Sequence, residues 1–345
     1  MTKPSRSRKP AKFVVEKNQI IKDLRTLGLA DGDHVAVTLS FKSIGYVNGG
    51  PQAFIDALLD VVGPNGTVMM NTFTYHFPPV SVPEDYVFDS KTTPTYTGLV
   101  PQTLRKRENA IRSENPVCSV AAIGKMATFL TEEHNERSEL FLPYSKLAEI
   151  NGKYLCIGIG DRLVGIRHEA QYRAGLTEVV PLFQAVRYKT SHGTVKLFVN
   201  RFPGCIQNLA KMVPTLKQMG VLKSGKVGMA DAYLASAELL IKSMTKLLTE
   251  NPTLTLCDNV SCLWCRELER RMNLFHRIED PKFFQKNGIA VNLIALGNRV
   301  RLKCFNWVQL QKGNGDSIIK QKPTRLQSIK QRMKNFVFAV RTKFL

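Results

Sequence analysis

One histidine follows an apolar run that ends in glycines. The run is 153–160, with the letters KYLCIGIG, and His168 comes eight residues after it. Ligands of parallel α/β sheets bind beyond the carboxyl ends of the strands, and imidazole titrates near the working pH of enzymes. The position of His168 therefore indicates a general base. Residue type alone favours a hydrogen-bonded structural histidine instead.

A glycine-rich segment follows an earlier apolar run. Its letters, SFKSIGYVNGG over residues 40–50, lead to Pro51, which suits the first turn of a helix. Backbone N–H groups at a helix N-terminus can receive a phosphate, and Lys42 adds a positive charge. The segment predicts a phosphate or pyrophosphate site, and a plain turn is the alternative interpretation.

Alternating strands and helices must position these two segments. Apolar spacing predicts a helix over 14–27, strands over 34–39 and 67–70, and a helix from Pro51 between the two strands. Strand, glycine loop, helix and strand in this order form a βαβ unit, so the fold class is α/β. Further predicted elements are helices over 98–107, 124–133 and 230–248, a strand within 153–160, a helix or tight turn from His168 to Ala174, and a hairpin over 184–200 that turns at His192-Gly193.

The positive charge lies mostly at the two ends of the chain. The 345 residues include 49 Lys and Arg against 28 Asp and Glu, a net charge of +21. Residues 1–25 carry +6 and residues 299–345 carry +11, which leaves +4 for the body. A nucleic-acid-binding protein usually carries its basic stripe on the folded body, among aromatic residues. Nucleic acid is therefore not the expected partner, and the basic ends suit an anionic surface.

Composition limits the class of protein. The 43% of apolar residues is ordinary for a folded chain, and no run approaches the roughly 18 apolar residues of a membrane span. The basic N-terminus leads into no apolar stretch of a signal peptide. Seven scattered cysteines do not form a disulfide framework. We expect a reduced, cytoplasmic protein.

Several short phrases occur together in one order. Residues 27–75 read LGLADGDHVAVTLSFKSIGYVNGGPQAFIDALLDVVGPNGTVMMNTFTY, and GLVP, KYLCIGIG, His168 with Ala170, and GKVGMA follow at 98–101, 153–160, 168–170 and 225–230. Over about residues 18–256 the sequence resembles the aminoglycoside 3-N-acetyltransferase family. The resemblance implies a central mixed sheet flanked by helices, distinct from the common acetyltransferase fold. It also implies transfer of an acetyl group from acetyl-CoA to the amine of an amino sugar, without a metal.

The resemblance also implies roles for particular residues. His168 matches the family's catalytic histidine, Gln171 would orient it, and Glu169 is a less suitable neighbour because it points elsewhere on a helix. The positions that match the CoA-binding loop are Lys42, Ser43, Ile44, Gly45, Tyr46, Val47, Gly49 and Gly50, and those that match the cleft lining are Thr72, Arg112 and Ser113.

Four positions depart from the family pattern. Gln171 stands where the family usually has Glu, so it can hydrogen-bond the imidazole but cannot offset an imidazolium charge. Asn115 and Thr38 replace histidines, and Leu142 replaces a serine. These departures predict altered substrate handling. The alternatives are a catalytically impaired CoA- or glycan-binding homologue, and a membrane-surface adaptor that acts through its basic ends.

The net charge of residues 26–298 indicates which kind of acceptor the protein would bind. Aminoglycosides are polycations and need acidic side chains in a cleft, for which Glu84, Asp85 and Asp89 are the candidates. A body of +4 suits a phosphate-bearing amino sugar better. We therefore expect an acceptor from glycan biosynthesis first and antibiotic modification second. The acyl chain and homo-oligomerisation stay open.

The C-terminal third suggests two further features. Cys257, Cys262 and Cys265, with His276, could hold zinc, although buried thiols packed on a terminal helix are the preferred interpretation. The apolar spacing of the tail 327–345 predicts a basic amphipathic helix. Such a helix suits either the inner membrane surface or packing against the domain or a partner. The predicted domains are a basic arm over 1–13, an acetyltransferase-like domain over 14–256, a Cys-bearing segment over 257–298 and a basic tail over 299–345.

Overall fold

A seven-stranded mixed sheet forms the centre of the molecule. The computed structural model describes residues 13–75, 83–160, 163–176, 182–190, 193–201, 211–262, 265–266 and 269–270. In spatial order the strands are β11 (Lys223–Val227), β12 (Ala230–Ser236), β8 (Lys153–Ile157), β2 (His34–Leu39), β4 (Thr67–Asn71), β7 (Val120–Gly124) and β6 (Ile111–Arg112). The central strands β8, β2 and β4 are parallel, and the outer pairs are antiparallel. The predicted α/β class with a mixed sheet is confirmed.

Two smaller sheets flank the central one. Strand β1 (Val14–Val15) pairs in parallel with β3 (Tyr46–Val47). Strand β5 (Val87–Phe88) pairs in parallel with β9 (Leu182–Thr190), which forms an antiparallel hairpin with β10 (Gly193–Arg201). This hairpin confirms the one predicted over 184–200.

Helices cover both faces of the central sheet. Because successive side chains of a strand point to opposite faces, Val35 and Leu155 belong to one buried cluster while Ala36 and Tyr154 belong to the other. The helices are α1 (Lys17–Leu27), α2 (Gly50–Val62), α3 (Leu99–Leu104), α4 (Ala127–Thr131), α5 (Leu142–Glu149), α6 (Ile166–Arg173), α7 (Val213–Gln218) and α8 (Ala237–Glu250). The cluster that contains Val35 includes apolar residues of α1 and α2, and the other includes residues of α5, α6 and α8.

Three predicted helices begin too early, and the one predicted over 124–133 starts at Ala127 because Gly124 ends β7. Val14 and Val15 form β1, so the first helix starts at Lys17 rather than at 14. The prediction of one helix over 230–248 is wrong at its start, because residues 230–236 form β12. Alternating burial of Ala230 and Ala232 against exposed Asp231 fits a strand, and Ser236 then caps α8 by accepting the Leu239 N–H at 3.4 Å.

Some predictions lie outside the described residues. These concern residues 1–12 of the basic arm, the turn residue His192, the candidate ligand His276 and the tail 327–345. Within the described ranges, no helix combines the length and apolar character that crossing a bilayer requires.

Candidate functional site

His168 lies on α6, just beyond the carboxyl end of β8. Its side chain is buried, at 6% exposure, and its Nδ1 lies 2.7 Å from Oε1 of Gln171. Its other nitrogen, Nε2, lies 3.1 Å from a guanidinium nitrogen of Arg167. His168 and Gln171 share a helix face at i and i+3, as predicted from the sequence. Sequence reasoning gave Arg167 no role.

These two contacts determine which imidazole nitrogen carries the hydrogen. A guanidinium group can only donate, so Nε2 of His168 accepts from Arg167. The hydrogen is then on Nδ1, and it is donated to Oε1 of Gln171. The ring is therefore a neutral imidazole whose lone pair is on Nε2, the protonation state that a general base requires.

One phenylalanine ring packs on His168, and a second packs on the first. The ring of Phe141 stacks on the imidazole, with centroids 4.9 Å apart, and Phe73 packs edge-on against Phe141 at 6.2 Å. The Phe73 carbonyl accepts the N–H of Tyr96, whose ring lies 5.3 Å from that of Tyr75. Tyr75 and Tyr96 are both exposed. The ring contacts therefore extend from His168 to Phe73, and a backbone hydrogen bond joins Phe73 to the exposed Tyr96.

Glu169 is turned away from His168. Its Oε1 accepts from Ser145 on α5 and from Arg173 on its own helix, each at 2.6 Å. Burial raises the pKa of this carboxyl group, against the opposing effects of the Ser145 and Arg173 hydrogen bonds. Glu169 therefore links two helices, while Gln171 holds the imidazole.

The predicted cofactor loop lies at the same edge of the sheet. Residues 40–50 follow β2, which is the parallel neighbour of β8. Oγ of Ser43 donates to the Gly158 carbonyl at 3.0 Å, directly after β8. Gly158 has a φ of +63°, and a Cβ there would lie 2.6 Å from that of Ser43, so only glycine fits. The loops after β2 and β8 are thus packed against each other, and the second leads to His168.

The N-terminus of α2 has the features of an anion site. Helix α2 begins at Gly50 with no side-chain cap, so its first N–H groups point outward. A Cβ on Gly50 would meet no atom within 4 Å, which shows that the space beside the backbone is open. Lys42 is exposed, and the ion pairs between described residues do not involve it. These features leave the loop 40–50 accessible, and phosphate binding there stays a prediction.

Arg112 and Thr72, both predicted to line the cleft, contact each other, and Arg112 makes mainly structural hydrogen bonds. The guanidinium of Arg112 donates to the Thr72 carbonyl at 2.8 Å and to the carbonyls of Ser90 and Thr93 at 3.1 and 2.5 Å. Burial lowers the pKa of Arg112 to about 10. The side chain therefore attaches the 90–93 segment to the edge of the sheet.

Ser113 lies in a buried hydrogen-bond chain with His134, which the sequence did not single out. Oγ of Ser113 accepts the N–H of Val120 at 2.9 Å and lies 2.9 Å from Nδ1 of His134. Nε2 of His134 lies 3.1 Å from the Leu140 carbonyl. Because a carbonyl only accepts, Nε2 carries the hydrogen and Nδ1 accepts from Ser113. Burial lowers the pKa of His134 to about 3.

This buried histidine makes stability fall in acid. Its folded-state pKa lies below the ordinary value of 6.5, so between these values the unfolded chain binds a proton that the folded chain excludes. From His134 alone we expect the free energy of unfolding to fall by about 2 kcal/mol between pH 6.5 and pH 5. Urea unfolding of wild type and His134→Gln over this range measures it. The difference in free energy of unfolding between wild type and His134→Gln should narrow toward pH 5. A difference that stays constant with pH would show that His134 is not the buried group that titrates.

The three cysteines predicted to lie together do so. The sulfur atoms of Cys257, Cys262 and Cys265 are all within 4.8 Å of one another. His276 lies outside the described residues, so its predicted part in this group stays a prediction.

Comparison with known proteins decides the family. The sequence profile described as aminoglycoside 3-N-acetyltransferase matches residues 37–249, more than half of the chain. The chain belongs to this family. The resemblance found in the sequence is thereby confirmed, and the matched range contains His168, Gln171 and the loop 40–50.

Individual members of the aminoglycoside 3-N-acetyltransferase family align over different lengths. Aminoglycoside N(3)-acetyltransferase VII of Streptomyces paromomycinus is 32% identical over 173 residues, covering 46% of this chain but only 60% of that protein. Aminoglycoside N(3)-acetyltransferase IX of Micromonospora chalcea is 29% identical over 258 residues, covering 65% of this chain and 89% of that protein. The chain thus spans about three fifths of the first relative.

A solved structure shares the fold. The structure described as AAC-IIIb binary with CoASH matches with a TM-score of 0.62 at 25% identity, over 69% of this chain and 97% of that one. That structure therefore shares the fold described above, a mixed central sheet with helices on both faces.

The residues that depart from the aminoglycoside 3-N-acetyltransferase pattern have structural contacts of their own. Asn115 is buried, and its Oδ1 accepts the N–H groups of Val117 and Cys118 at 3.1 and 2.9 Å. Oγ1 of Thr38 lies 3.5 Å from the Val164 carbonyl, in the loop before α6. Asn115 therefore fixes a turn, and Thr38 lies beside the loop that carries His168.

Proposed function

We propose that this chain transfers an acetyl group from acetyl-CoA to the amine of an amino sugar, with His168 as the general base. The observation that carries the proposal is the neutral imidazole, oriented by Gln171 through Nδ1 and offering its lone pair at Nε2. An attacking amine must lose a proton as its nitrogen bonds to the acetyl carbon and the carbon–sulfur bond breaks. Nε2 of His168 takes that proton and can pass it to the departing sulfur.

The loop 40–50 suits the phosphate end of acetyl-CoA. The uncapped N-terminus of α2, the open space beside Gly50 and the exposed Lys42 supply hydrogen-bond donors and positive charge for a pyrophosphate. Acetyl-CoA, when bound, supplies the acetyl group as a thioester. Because Ser43 of this loop packs on Gly158, a donor held here lies at the same edge of the sheet as His168.

The acceptor proposed is an amino sugar that carries an anionic group. Arg167 occupies Nε2 of His168 at 3.1 Å, so the incoming amine must take the place of this guanidinium. The displaced cation stays next to the reaction centre, where it attracts an anionic group and repels a polycation. This charge supports an acceptor from glycan biosynthesis over a polycationic aminoglycoside.

The exposed tyrosines favour a sugar. Tyr75 and Tyr96 are exposed, their rings lie 5.3 Å apart, and the Tyr96 N–H donates to the carbonyl of Phe73. Aromatic side chains commonly line small-molecule sites, where their rings contact apolar faces of the ligand. The exposure of these two rings supports binding of the acceptor sugar at this surface.

Acceptor-dependent release of CoA tests the proposal. The purified chain would be supplied with acetyl-CoA and with glucosamine 6-phosphate, glucosamine or kanamycin, and thiol release would be followed against a blank without acceptor. We expect the phosphate-bearing sugar to be used best, with kcat/KM at least about tenfold above that of kanamycin, the order expected for one added charge contact. Kanamycin as the best acceptor would indicate aminoglycoside modification. CoA binding without release for any acceptor would indicate a binding protein instead.

A further inference from the structure

Three cysteines outside the proposed active site form a compact group of sulfur atoms. Those of Cys257, Cys262 and Cys265 lie within 4.8 Å of one another, with Cys257 and Cys265 buried and Cys262 half-buried. We propose that these residues bind a zinc ion as three thiolates. Zinc–sulfur bonds of about 2.3 Å in a tetrahedron bring sulfur atoms to just under 4 Å apart, so only a small contraction of the group is needed. The inference is independent of the proposed function.

The backbone already holds the three residues in place. The N–H of Cys262 donates to the Asn259 carbonyl at 3.0 Å, and the N–H of Ser261 donates to the Asn259 side chain at 2.9 Å. The N–H of Arg266 then donates to the Cys262 carbonyl at 3.0 Å. A turn at Asn259–Cys262 and the hydrogen bond between Arg266 and Cys262 therefore hold Cys262 and Cys265 near Cys257. Preorganised ligands lower the entropy cost of binding a metal.

Backbone and side-chain hydrogen bonds hold the segment that carries the cluster. The backbone N–H of Cys257 donates to Sγ of Cys265 at 3.3 Å, a contact that stabilises negative charge on sulfur. The Arg266 guanidinium donates to the Cys257 carbonyl, and Nζ of Lys211 donates to the Leu256 carbonyl at 3.2 Å. Arg266 is also ion-paired with Glu269, and Lys211 with Asp258 at 2.6 Å, so the side chains next to the cluster are close to neutral overall. The geometry of the three sulfur atoms, rather than a charge in their surroundings, therefore carries the proposal.

The site would attach the C-terminal segment to the domain. Leu256, Cys257 and Cys265 belong to the same buried cluster as α8, and Lys211 connects the segment to the start of α7. Three protein ligands leave one tetrahedral position for water or another donor. Binding displaces the thiol protons, so metal is lost as pH falls. We therefore expect zinc to stabilise the fold and to take no part in acetyl transfer.

Metal content and cobalt spectra test this site without any activity assay. The full chain, purified without chelators, should contain about one equivalent of zinc. After exchange for Co²⁺ it should show sulfur-to-cobalt charge-transfer absorption in the near ultraviolet. Cys262→Ser changes a half-buried position, so it should still fold, yet it should lose most of the zinc and the absorption band. Cys118→Ser alters a buried thiol elsewhere in the same core and should retain both.

Two results would overturn the proposal. One is wild-type protein that contains no zinc and gives no charge-transfer band with Co²⁺. The other is Cys262→Ser protein that binds as much zinc as Cys118→Ser protein. Either result would show that these cysteines only pack in the core. Neither result would test the proposed acetyl transfer.

Discussion

Replacing His168 by alanine should lower kcat for acetyl transfer by about 10²–10⁴-fold, the range for loss of a general base. In the proposed reaction the imidazole takes the amine proton at Nε2, the nitrogen that now accepts from Arg167. The loop 40–50 lies on a different element, so the affinity for acetyl-CoA should stay within about twofold of wild type. Steady-state kinetics measure kcat, and calorimetric titration measures the dissociation constant of acetyl-CoA.

Two further variants make this result specific. His34 is a partly exposed histidine at the opposite end of β2, and His34→Ala should leave kcat unchanged. Gln171→Glu restores the carboxylate usual in the family, which can offset an imidazolium charge that an amide cannot. A sharp rise in turnover with Gln171→Glu would show that the native site is impaired. Turnover by His168→Ala at the wild-type rate would refute the role of His168.

Replacing Arg167 by glutamine should change which acceptor is preferred. A unit charge about 8 Å from an acceptor charge contributes about 2 kcal/mol at an effective dielectric constant of about 20, or roughly 30-fold in kcat/KM. The ratio of kcat/KM for glucosamine 6-phosphate to that for kanamycin should therefore fall by about this factor. Arg167 also contacts Nε2 of His168, so its replacement changes the absolute rate with either acceptor. This change cancels in the ratio, which therefore reports only the effect of the charge on acceptor preference.

Arg167→Lys is the matched control for charge. It keeps the cation while losing the planar guanidinium, so the acceptor ratio should stay near that of wild type even where absolute rates fall. An unchanged ratio in Arg167→Gln would show that this cation does not select the acceptor. A ratio that falls equally in both variants would show that guanidinium geometry, rather than charge, determines the preference.

The alternation of strands and helices could be predicted because it follows from local spacing. Strand β2 has the predicted bounds, and α2 falls between the predicted strands, since apolar period and glycine stops agree there. The segment 230–248 could not be divided correctly, because its apolar residues suit a helix throughout. Pairing of β12 with β8 and β11 is a long-range contact that makes residues 230–236 a strand.

The candidate site could be predicted only where local spacing along the sequence determines it. His168 and Gln171 are neighbours by helical spacing, and the position of the loop 40–50 follows from the order of the strands. The stacking of Phe141 on the imidazole depends on how α5 packs against α6, which no local pattern encodes. The contact of Arg167 with Nε2 joins adjacent residues, but spacing alone gave no reason to expect it. The cysteine spacing suggested a cluster, and only the folded chain shows that the three sulfur atoms meet.

The tight fit of Gly158 against Ser43 constrains how this protein can diverge. A larger residue at 158 would push the two loops apart, so both must be inherited as a unit. Asn115 and Gln171, which differ from the family pattern, lie on other elements and can vary one at a time. Substitutions at these two positions can therefore accumulate without disturbing the contact between the loops.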